Sequence, residues 1–292
     1  MLTPTGGFLS TFTHTLNPYT GCQLGYSFCG RYCYASAIAK GLRKDKRLWG
    51  SYLEVKSNSD ERYKKEYTDI KKQNKSLKIF MSSVTDPYLP LEKEYNVTKK
   101  VLEAMLEMPP DSLVIQTHTP NVLRDLEILE SLSKKTNLII QITVETDKEN
   151  LDLKDYQTKY KLRHLYPISS RLDALKKIKE VNLFSVATVS PLMPLNYPHK
   201  FASKLKDVAN FVILDHFLLG DGSGGIRTGS RRFFSEPLSH VLANSNQTEW
   251  NTLKKFNEIV AIFRKVLGTE NLGISKEGFA RSVEVANTVN HS

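Results

Sequence analysis

The feature that most constrains the fold is an alternation of short apolar runs with amphipathic helical segments along most of the chain. The runs are rich in β-branched residues and have the length of buried strands. They occupy residues 77–86, 112–119, 137–146, 182–190 and 210–217, and a weaker first strand is expected at 12–19. Strands that alternate with helices form right-handed crossovers and a parallel sheet. The sequence therefore predicts an α/β fold, either an open doubly wound sheet or a full or partial barrel.

Each helical segment carries one apolar stripe. The stripe residues recur at helical spacing and are Val97, Val101 and Met105 in the second unit, Val122, Leu126 and Leu129 in the third, and Leu172, Leu175 and Ile178 in the fourth. Asn121 and either Ser169 or Ser170 are the expected helix starts, because short polar side chains cap helix N-termini. A further amphipathic helix is predicted near the C-terminus, with one face made of Leu253, Phe256, Val260, Phe263 and Leu267.

The chain is expected to fold as one domain. Its predicted parts are a core at about 11–217, a glycine-rich loop at 218–247, and a C-terminal helix with a tail at 248–292. Residues 147–166 are polar and predict a loop with some helix. In a doubly wound sheet and in a barrel alike, ligands bind at the carboxyl ends of the strands. The strand ends to examine for a site are therefore 82–88, 117–119, 143–147, 190–194 and 215–217.

The net charge of the chain indicates the kind of molecule that it binds. Lys and Arg outnumber Asp and Glu by 41 to 31, which gives a formal charge of +10 and favours a polyanionic partner such as DNA or RNA, with a solvated basic surface as the equal alternative. Much of the excess lies at 40–49 and 62–78, where bases would stack on the interspersed aromatic residues Trp49, Tyr52, Tyr63 and Tyr67. The first residues lack the basic and apolar regions of a leader, and no apolar run approaches the roughly 18 residues of a membrane span. A cytoplasmic protein without membrane contact is expected.

All three cysteines lie in the segment GCQLGYSFCGRYCYA, at positions 22, 29 and 33. An odd number of cysteines without a secretory context argues against disulfides. A structural zinc site prefers four ligands from C-x2-C pairs, so a zinc ion on the cysteines and His14 is the weaker alternative. Three thiolates fit a cubic iron–sulfur cluster better, because they leave one iron open to a substrate. The helix predicted after Cys33 would direct its positive end toward such an anionic cluster.

The segment NPYTGC, the later cysteines and the ending YCYA resemble the radical SAM superfamily, and within it the group related to spore photoproduct lyase. SSVTDPYLPLE resembles the stretch after that group's second strand, LRDLEILESL its third helix, and PISSRLDALKKIKEV its fourth. The resemblance implies a partial (β/α)6 barrel with parallel strands and a [4Fe-4S] cluster on Cys22, Cys29 and Cys33. It also implies that S-adenosyl-L-methionine binds the open iron and is cleaved by one electron to a 5′-deoxyadenosyl radical, which takes hydrogen from a substrate.

The resemblance also assigns cofactor-binding residues, position by position. Tyr32 matches the aromatic residue that lies against the adenine, and Ser82 and Ser83 match the region that holds the methionyl amino or carboxylate group. Thr143 and Glu145 match positions that bond the carboxylate and the ribose, where a carboxylate accepts hydrogen bonds from two hydroxyls. Packing at a strand end is the alternative for each of these residues.

Arg171 and His118 are further candidates for cofactor binding. Arg171 would pair with Glu145 or with a cofactor carboxylate, because a guanidinium suits bidentate pairing, and a solvated position at the helix start is the alternative. His118 stands in the segment Thr117-His118-Thr119-Pro120, where relatives tend to read TKSP. It therefore replaces a lysine that would neutralise the methionyl carboxylate, and the alternative is a histidine that is hydrogen-bonded at a strand end.

The chain departs from the group in two other ways. Its cysteines are spaced C-x6-C-x3-C where relatives usually have C-x3-C-x2-C, so the loop is longer, although three thiolates need only converge. Ser82 stands where spore photoproduct lyase carries an additional cysteine that returns hydrogen to its product, and a hydroxyl is a poor hydrogen-atom donor. Tyr88 is the candidate replacement as catalytic donor. Asp86 is either a catalytic carboxylate or a turn-former.

The function predicted from these features is radical chemistry of the lyase or a related type, with nucleic acid favoured as the substrate by the charge. Radical modification of a small molecule or peptide is the second hypothesis, and a non-catalytic iron–sulfur electron carrier or metal-stabilised binding module is the third. The resemblance implies an external electron donor of the flavodoxin or ferredoxin type. In the glycine-rich loop, Arg227, Arg231 and Arg232 either cradle a phosphate under a mobile lid or belong to a merely flexible segment.

Overall fold

The strands follow the predicted apolar runs. The computed structural model describes residues 1–25, 27–41, 44, 46–151, 153–155, 160–161, 164–231 and 237–290. In chain order the strands are β1 Leu2–Pro4, β2 His14–Leu16, β3 Tyr19–Cys22, β4 Tyr52–Val55, β5 Lys78–Met81, β6 Ser112–Thr117, β7 Asn137–Thr143, β8 Lys154–Asp155, β9 Tyr160–Lys161, β10 Phe184–Val189, β11 Phe211–Leu214 and β12 Leu272–Ile274. Each predicted run contains one strand of the central sheet, so these predictions are confirmed.

The central sheet has eight strands in the order β1-β2-β5-β6-β7-β10-β11-β12. Its neighbours are parallel except for the antiparallel pair β1 and β2. Across the described ranges no ladder joins β1 to β12, so the sheet is open. The predicted α/β class with a mostly parallel sheet is confirmed, and the architecture is consistent with an unclosed TIM-like barrel. β3 and β4 form a separate antiparallel pair beside the sheet, as do β8 and β9.

The helices fill the crossovers between the strands. They are α1 Phe28–Arg31, α2 Tyr34–Gly41, α3 Ser59–Lys71, α4 Glu92–Tyr95, α5 Val97–Glu107, α6 Leu126–Ser133, α7 Ile168–Glu180, α8 Pro198–Val208, α9 Phe217–Gly220, α10 Ile226–Gly229, α11 Leu238–Asn244, α12 Leu253–Leu267 and α13 Ser275–Asn290. Short 3-10 helices span Gly7–Leu9, Pro120–Asp125 and Thr248–Asn251. None of the helices in the described ranges has the length and apolarity needed to cross a membrane.

The two faces of the sheet are covered differently. Ile79, Ile115 and Ile140 belong to the outer face and share one apolar cluster with the predicted stripes of α5, α6 and α7 and with α8 and α12. Phe80 and Ile139 belong to the inner face, whose apolar cluster includes residues of α13. Side chains two residues apart on a strand share a face, so the inner face continues upward from this cluster to the carboxyl ends. α13 covers the inner face below the carboxyl ends of the strands, so the space that remains on that face lies at the carboxyl ends.

The C-terminal region and the polar segments differ from prediction. The predicted tail contributes β12 to the sheet and α13 to the inner face. Leu253 of the predicted α12 stripe is 39% exposed, because it stands at the first residue of the helix, whereas the rest of the stripe is buried. In the described part of 147–166 the backbone forms β8 and β9 and no helix, since the segment lacks an apolar stripe that would pack one. α9, α10 and α11 occupy much of the predicted glycine-rich loop.

The predicted helix starts shift by a residue or two. Thr119 caps the segment after β6 by accepting a hydrogen bond from the Asn121 amide, with Pro120 in the first turn, so Asn121 is not the cap. α7 begins at Ile168, before Ser169 and Ser170, because the Glu149 carboxylate accepts from the Ile168 and Ser169 amides and serves as a cap from a distant position.

The basic segment on α3 supports less nucleic acid contact than its composition predicts. Tyr63 is wholly buried and donates a hydrogen bond to the Met108 carbonyl at 2.6 Å, so its predicted role in base stacking is wrong. Lys64 pairs with Glu107 at 2.5 Å, and Lys71 pairs with Asp111 at 2.8 Å. Part of the positive charge of this helix is therefore neutralised within the chain.

Candidate active site

A cavity of about 470 Å³ lies at the carboxyl ends of the parallel strands. Its wall combines the cysteine loop, the residues that follow β5, β6, β7, β10 and β11, and the segment around α9 and α10. The size is that of a site for a small molecule or cofactor. Ten predicted site residues line it together, namely Cys22, Cys29, Tyr32, Cys33, Ser82, Ser83, Asp86, His118, Thr143 and Glu145. Arg171 and Tyr88 are not part of this wall.

The cysteine loop is shaped by close backbone packing. Cys22 ends β3, and the loop then turns tightly into α1, where the Ser27 hydroxyl donates to the Leu24 carbonyl at 2.7 Å and accepts from the Gly30 amide at 3.3 Å. A Cβ atom on Gly30 would lie 1.8 Å from the Leu24 carbonyl oxygen, so only glycine fits there. The extra residues between Cys22 and Cys29 thus form a compact capped turn that brings both cysteines to the cavity.

The surroundings raise the pKa of all three thiols. Burial, followed by negative charge on Cys33, raises the pKa of Cys22 to about 12. Burial also raises the pKa of Cys29 and of Cys33, and for Cys29 negative charge on both other cysteines adds to the effect. In the part of the chain that the structure describes, no three His, Cys, Asp or Glu side chains converge as ligands on one metal ion. The expected zinc alternative with His14 therefore has no geometric support.

Ser82 and Ser83 follow β5 in strained, closely packed backbone. Ser82 has a φ of +72°, a left-handed conformation that is uncommon for serine and that occurs at functional sites. Its side chain is buried, and its hydroxyl has no hydrogen-bond partner in the described ranges. The Ser83 carbonyl accepts a hydrogen bond from the Tyr34 hydroxyl, which ties this loop to the helix that follows Cys33. Tyr32 is buried beside Phe28, with ring centroids 5.9 Å apart.

A polar floor separates the cavity from the apolar inner face. Gln116, Thr143 and Thr188 point inward from three neighbouring strands. The Gln116 amide donates to the Thr143 hydroxyl at 2.8 Å and to the Thr188 hydroxyl at 3.1 Å, and the two hydroxyls lie 3.1 Å apart. Thr143 is therefore at a strand end as predicted, with its hydroxyl engaged by protein groups.

Glu145 is a fixed anion next to this floor. Arg171 donates from Nη1 to Glu145 Oε2 at 2.8 Å and to the Thr143 carbonyl at 2.6 Å, which confirms the predicted pairing of Arg171 with Glu145. Burial by itself would raise the pKa of Glu145, but the Arg171 guanidinium, followed by the imidazoles of His164 and His118, lowers it to about 2. Arg171 lies behind the carboxylate, so its effect on the cavity passes through Glu145.

Asp86 joins the loop after β5 to the end of β6. Its carboxylate accepts hydrogen bonds from the Tyr88 amide at 2.9 Å, the Thr117 hydroxyl at 2.9 Å and the His118 amide at 2.7 Å. The His118 imidazole lies between two acids, with Nδ1 3.5 Å from Asp86 and Nε2 4.0 Å from Glu145. The turn-forming role of Asp86 is thus directly visible, while its catalytic role stays a prediction.

Tyr88 lies away from the cavity. Its ring is fully buried and lines a second, smaller cavity of about 290 Å³ together with Asn121 and Arg124. Burial raises the pKa of its hydroxyl well above the ordinary value, and the negative charge of Asp125 adds to this. This location gives Tyr88 no direct path to a ligand in the main cavity, and its role as hydrogen donor stays a prediction.

In the predicted phosphate-binding loop, the backbone amides are already bonded to a carboxylate of the same loop. The Asp221 carboxylate accepts hydrogen bonds from the amides of Ser223 and Gly225, both at 2.9 Å or less, and from the amides of Arg227 and Thr228. Arg227 also donates to the Asp221 carbonyl at 2.9 Å. These amides already hold an anion that belongs to the chain, which argues against their use for phosphate. Arg231 lies 3.4 Å from His240, and Arg232 lies outside the described residues.

Three residues at or beside the site were missed by sequence reasoning. Trp49 lines the cavity although it lies in a segment predicted to bind nucleic acid. His164 approaches Glu145 to 3.9 Å from the polar segment 147–166, where no pattern marked it. Asp215 lines the cavity at the end of β11, where the rule of carboxyl ends selected the position but no chemistry was assigned to it.

Fold and site together define a class of protein, an open parallel α/β sheet whose strand ends surround one cavity bearing three thiols and buried carboxylates. The chain belongs to the family described as Protein of unknown function (DUF5131), whose model matches residues 9–221. That match includes the cysteine loop and the strand ends from β2 to β11.

The chain is also similar to two curated proteins. It is 30% identical over 185 residues to Uncharacterized protein MJ0683 of Methanocaldococcus jannaschii, and this match covers 62% of this chain and 61% of that protein. It is 34% identical over 161 residues to Uncharacterized protein ORF301 of Acidianus two-tailed virus, and this match covers 55% of this chain and 48% of that protein. The matches thus span less than two thirds of either relative.

Among solved structures the chain is similar to spore photoproduct lyase. The complex of that enzyme with dinucleoside spore photoproduct gives a TM-score of 0.56 at 11% identity, covering 91% of this chain and 77% of that chain. A double mutant with bound AdoMet and dinucleoside spore photoproduct gives a TM-score of 0.54 at 12% identity, with the same coverage. At these identities the likeness shows a shared fold.

Proposed function

We propose that this protein is a radical SAM enzyme. The observation that carries the proposal is that Cys22, Cys29 and Cys33 all face one cavity at the carboxyl ends of a parallel sheet. The fold similar to spore photoproduct lyase, one structure of which has bound AdoMet, supports the same proposal. A non-catalytic electron carrier would not require a ligand-sized cavity beside its thiols, so the cavity favours an enzyme.

The cysteines fit a cubic cluster better than a single ion. On a [4Fe-4S] cluster each thiolate binds a different iron, so the sulfur atoms surround the cluster without sharing one ligand point. Cys22, Cys29 and Cys33 line one cavity wall, and negative charge on Cys33 and Cys22 raises the pKa of Cys29, as expected for thiols that lie near one another. Bound there with S-adenosyl-L-methionine, the cluster would supply one-electron cleavage to a 5′-deoxyadenosyl radical.

The chain's own residues would bind and orient the cofactor. The buried, partnerless hydroxyl of Ser82 is suited to a polar group of the methionyl moiety. Glu145 stays ionised because of Arg171 and would accept hydrogen bonds from ribose hydroxyls. Tyr32, on the cysteine side of the same wall, would lie against the adenine. His118, 28% exposed between two acids, would face the methionyl carboxylate.

Nucleic acid remains the favoured substrate class because of the formal charge of +10, and a small molecule or peptide is the alternative. Repair of the spore photoproduct itself is disfavoured, since Ser82 replaces the hydrogen-returning cysteine and Tyr88 lies outside the cavity. An external electron donor of the flavodoxin or ferredoxin type would supply the electron.

Anaerobic reconstitution tests the proposal. The full chain is supplied with iron, sulfide, dithionite and S-adenosyl-L-methionine, and bound iron and released 5′-deoxyadenosine are measured. We expect about four irons per chain and 5′-deoxyadenosine formation, as a cubic cluster requires. Replacing each cysteine with alanine should abolish the product and lower the iron content, whereas the exposed substitution Ser203→Ala on α8 should change neither. A chain that binds no iron would refute the proposal, and one that binds iron without yielding product would favour the carrier.

A further inference from the structure

Asp215 has an unused hydrogen-bonding atom in the cavity. It follows β11, lines the cavity and is only 3% exposed. Its Oδ2 accepts a hydrogen bond from the Ser190 hydroxyl at 3.0 Å, whereas Oδ1 has no partner among the described residues. A buried acceptor without a partner costs free energy, and native structures rarely keep one without a use.

The surrounding chain holds the Asp215 side chain in place, and no cation of the described ranges is paired with it. A Cβ atom on Gly220 would lie 1.6 Å from Asp215 Oδ2, so the backbone of α9 presses directly against the carboxylate. The charge in the described ranges that acts on its pKa is that of Asp221, which is negative and raises it. The nearby Arg227 guanidinium is engaged with the Asp221 carbonyl. The Ser275 hydroxyl and the His216 amide also favour the charged carboxylate, but Oδ1 still makes no hydrogen bond among the described residues, so a donor that enters the cavity would complete its bonding.

Aromatic rings line the same cavity as Asp215. Phe217 stacks on His216 with ring centroids 4.6 Å apart, and a Cβ atom on Gly229 would come within 2.8 Å of its ring, so the ring is closely confined. Phe279 of α13 also lines the cavity and packs edge-on against Phe8 at 5.4 Å. Flat apolar walls next to one fixed acceptor suit a flat ring that carries an N–H group.

We propose that Asp215 recognises the substrate by accepting a hydrogen bond from a ring N–H of a nucleobase held among Phe217 and Phe279. The proposal rests on the proposed function only in calling this ligand the substrate. A carboxylate bonds an N–H donor strongly and repels a ring nitrogen that presents a lone pair. The site therefore selects bases such as thymine, uracil and guanine, whose rings carry an N–H, and the formal charge of +10 favours a base within a polyanionic strand.

The test compares ligands that differ at this one donor. Thymidine and N3-methylthymidine are titrated into the reconstituted full chain by equilibrium dialysis, and the measurement is repeated with short oligothymidylate carrying normal or N3-methylated bases. We expect the N–H form to bind about 10-fold more tightly, as a hydrogen bond to a charged group implies. A preference seen with both ligands assigns the site to the base itself, and one seen only with the oligonucleotide assigns it to a base within a strand.

Variants connect the preference to Asp215. Asp215→Ala should reduce it to about 2-fold or less, because the acceptor is gone. Asp207→Ala, the same change at an exposed position on α8, should leave it intact. Ser190→Ala, which removes only the hydroxyl that orients the carboxylate, should reduce it partially and decides the question if Asp215→Ala does not fold. Equal binding of both forms, no binding of either, or a preference that survives Asp215→Ala would overturn the inference.

The outcome separates this inference from the proposed function. A chain that shows the preference but binds no iron would refute only the radical SAM proposal. A chain that binds iron and yields 5′-deoxyadenosine but does not distinguish the two ligands would refute only the role of Asp215.

Discussion

Glu145 and Asp215 are buried acids that follow two strands of the same sheet and line the same cavity, yet their surroundings are opposite. Glu145 is paired with Arg171 at 2.8 Å, which together with two imidazoles lowers its pKa to about 2 in spite of its burial. The pKa of Asp215 is raised to about 6, because burial, with a further contribution from Asp221, outweighs the lowering by the Ser275 and Ser190 hydroxyls and the His216 amide.

The difference shows that a cation on the neighbouring helix decides what a buried acid can do. Arg171 comes from α7, which packs behind β7, and it makes Glu145 a permanently charged part of the framework. No described residue does the same for Asp215, so its acceptor remains open to a ligand. Environments that push the pKa values of two acids apart commonly mark different roles in a site.

Breaking the pair at Glu145 should have the largest effect. Arg171→Met leaves a buried carboxylate without its cation and should lower the free energy of unfolding by about 3–5 kcal/mol. Urea denaturation measures the change. The double variant Glu145→Gln with Arg171→Met should recover much of it, because no unpaired charge is then left inside.

The control for this pair is Arg264→Met at an exposed position of α12, which should stay within about 0.5 kcal/mol of the wild type. The pH dependence provides a second check. Because the pKa of Glu145 is lowered from 4.5 to about 2, its stabilisation is present above pH 4.5 and is lost as the pH falls toward 2. An Arg171→Met protein as stable as the wild type would contradict the comparison.

Neutralising Asp215 should have the opposite effect and raise the free energy of unfolding. Its pKa rises from 3.8 to about 6, so the folded state binds the proton more tightly than the unfolded state, and stability is lost as the pH rises from 3.8 through 6. Asp215→Asn removes this loss and should stabilise the protein at pH 7 by about 3 kcal/mol. Thermal unfolding between pH 4 and 7 should show a flatter profile than that of the wild type. The exposed Asp207→Asn should reproduce the wild-type profile, and a destabilised Asp215→Asn would count against an unpaired acid.

Crowding the Asp215 carboxylate should have a smaller effect. Gly220→Ala would place a methyl group 1.6 Å from Asp215 Oδ2, so side chain or backbone must move, at a cost of about 1–2 kcal/mol. A melting experiment measures the loss. Gly6→Ala is the matched control, because a Cβ atom there meets nothing within 4 Å and its stability should not fall. Equal melting temperatures for the two variants would mean that the carboxylate is not held where the structure places it.

Removing the Ser190 hydroxyl, which is bonded to Asp215 Oδ2, should have the smallest effect. Ser190→Ala deletes the bond of 3.0 Å and should cost about 1 kcal/mol at pH 7, where the acid is ionised. The cost should shrink below pH 5, where Asp215 is protonated in the folded protein. Denaturation at the two pH values measures this difference, and a cost that is independent of pH would show that the hydroxyl does not act through the charge.

Much of the site's location could be predicted from the sequence, because strand ends are marked by local periodicity. The residues 82–88, 117–119 and 143–147 were selected by that rule, and Ser82, His118 and Glu145 line the cavity. Tyr88 was selected by the same rule, but its side chain lines a separate cavity. The Asp86 carboxylate accepts a hydrogen bond from the Tyr88 amide and fixes the turn in this direction. Local pattern gives the end of a strand and not the direction of the side chains in the loop beyond it.

The sequence by itself determined the order of strands and helices, the mostly parallel sheet, and the gathering of three cysteines in one loop. These features depend on the spacing of residues that are near one another in the chain. Only the tertiary structure decided that Arg171 forms an ion pair with Glu145 and that Asp221 accepts hydrogen bonds from the amides of its own loop. It also decided that Tyr63 is buried and that α13 covers the inner face. Charge pairing and burial depend on distances between residues far apart in the chain, and no local pattern records those distances.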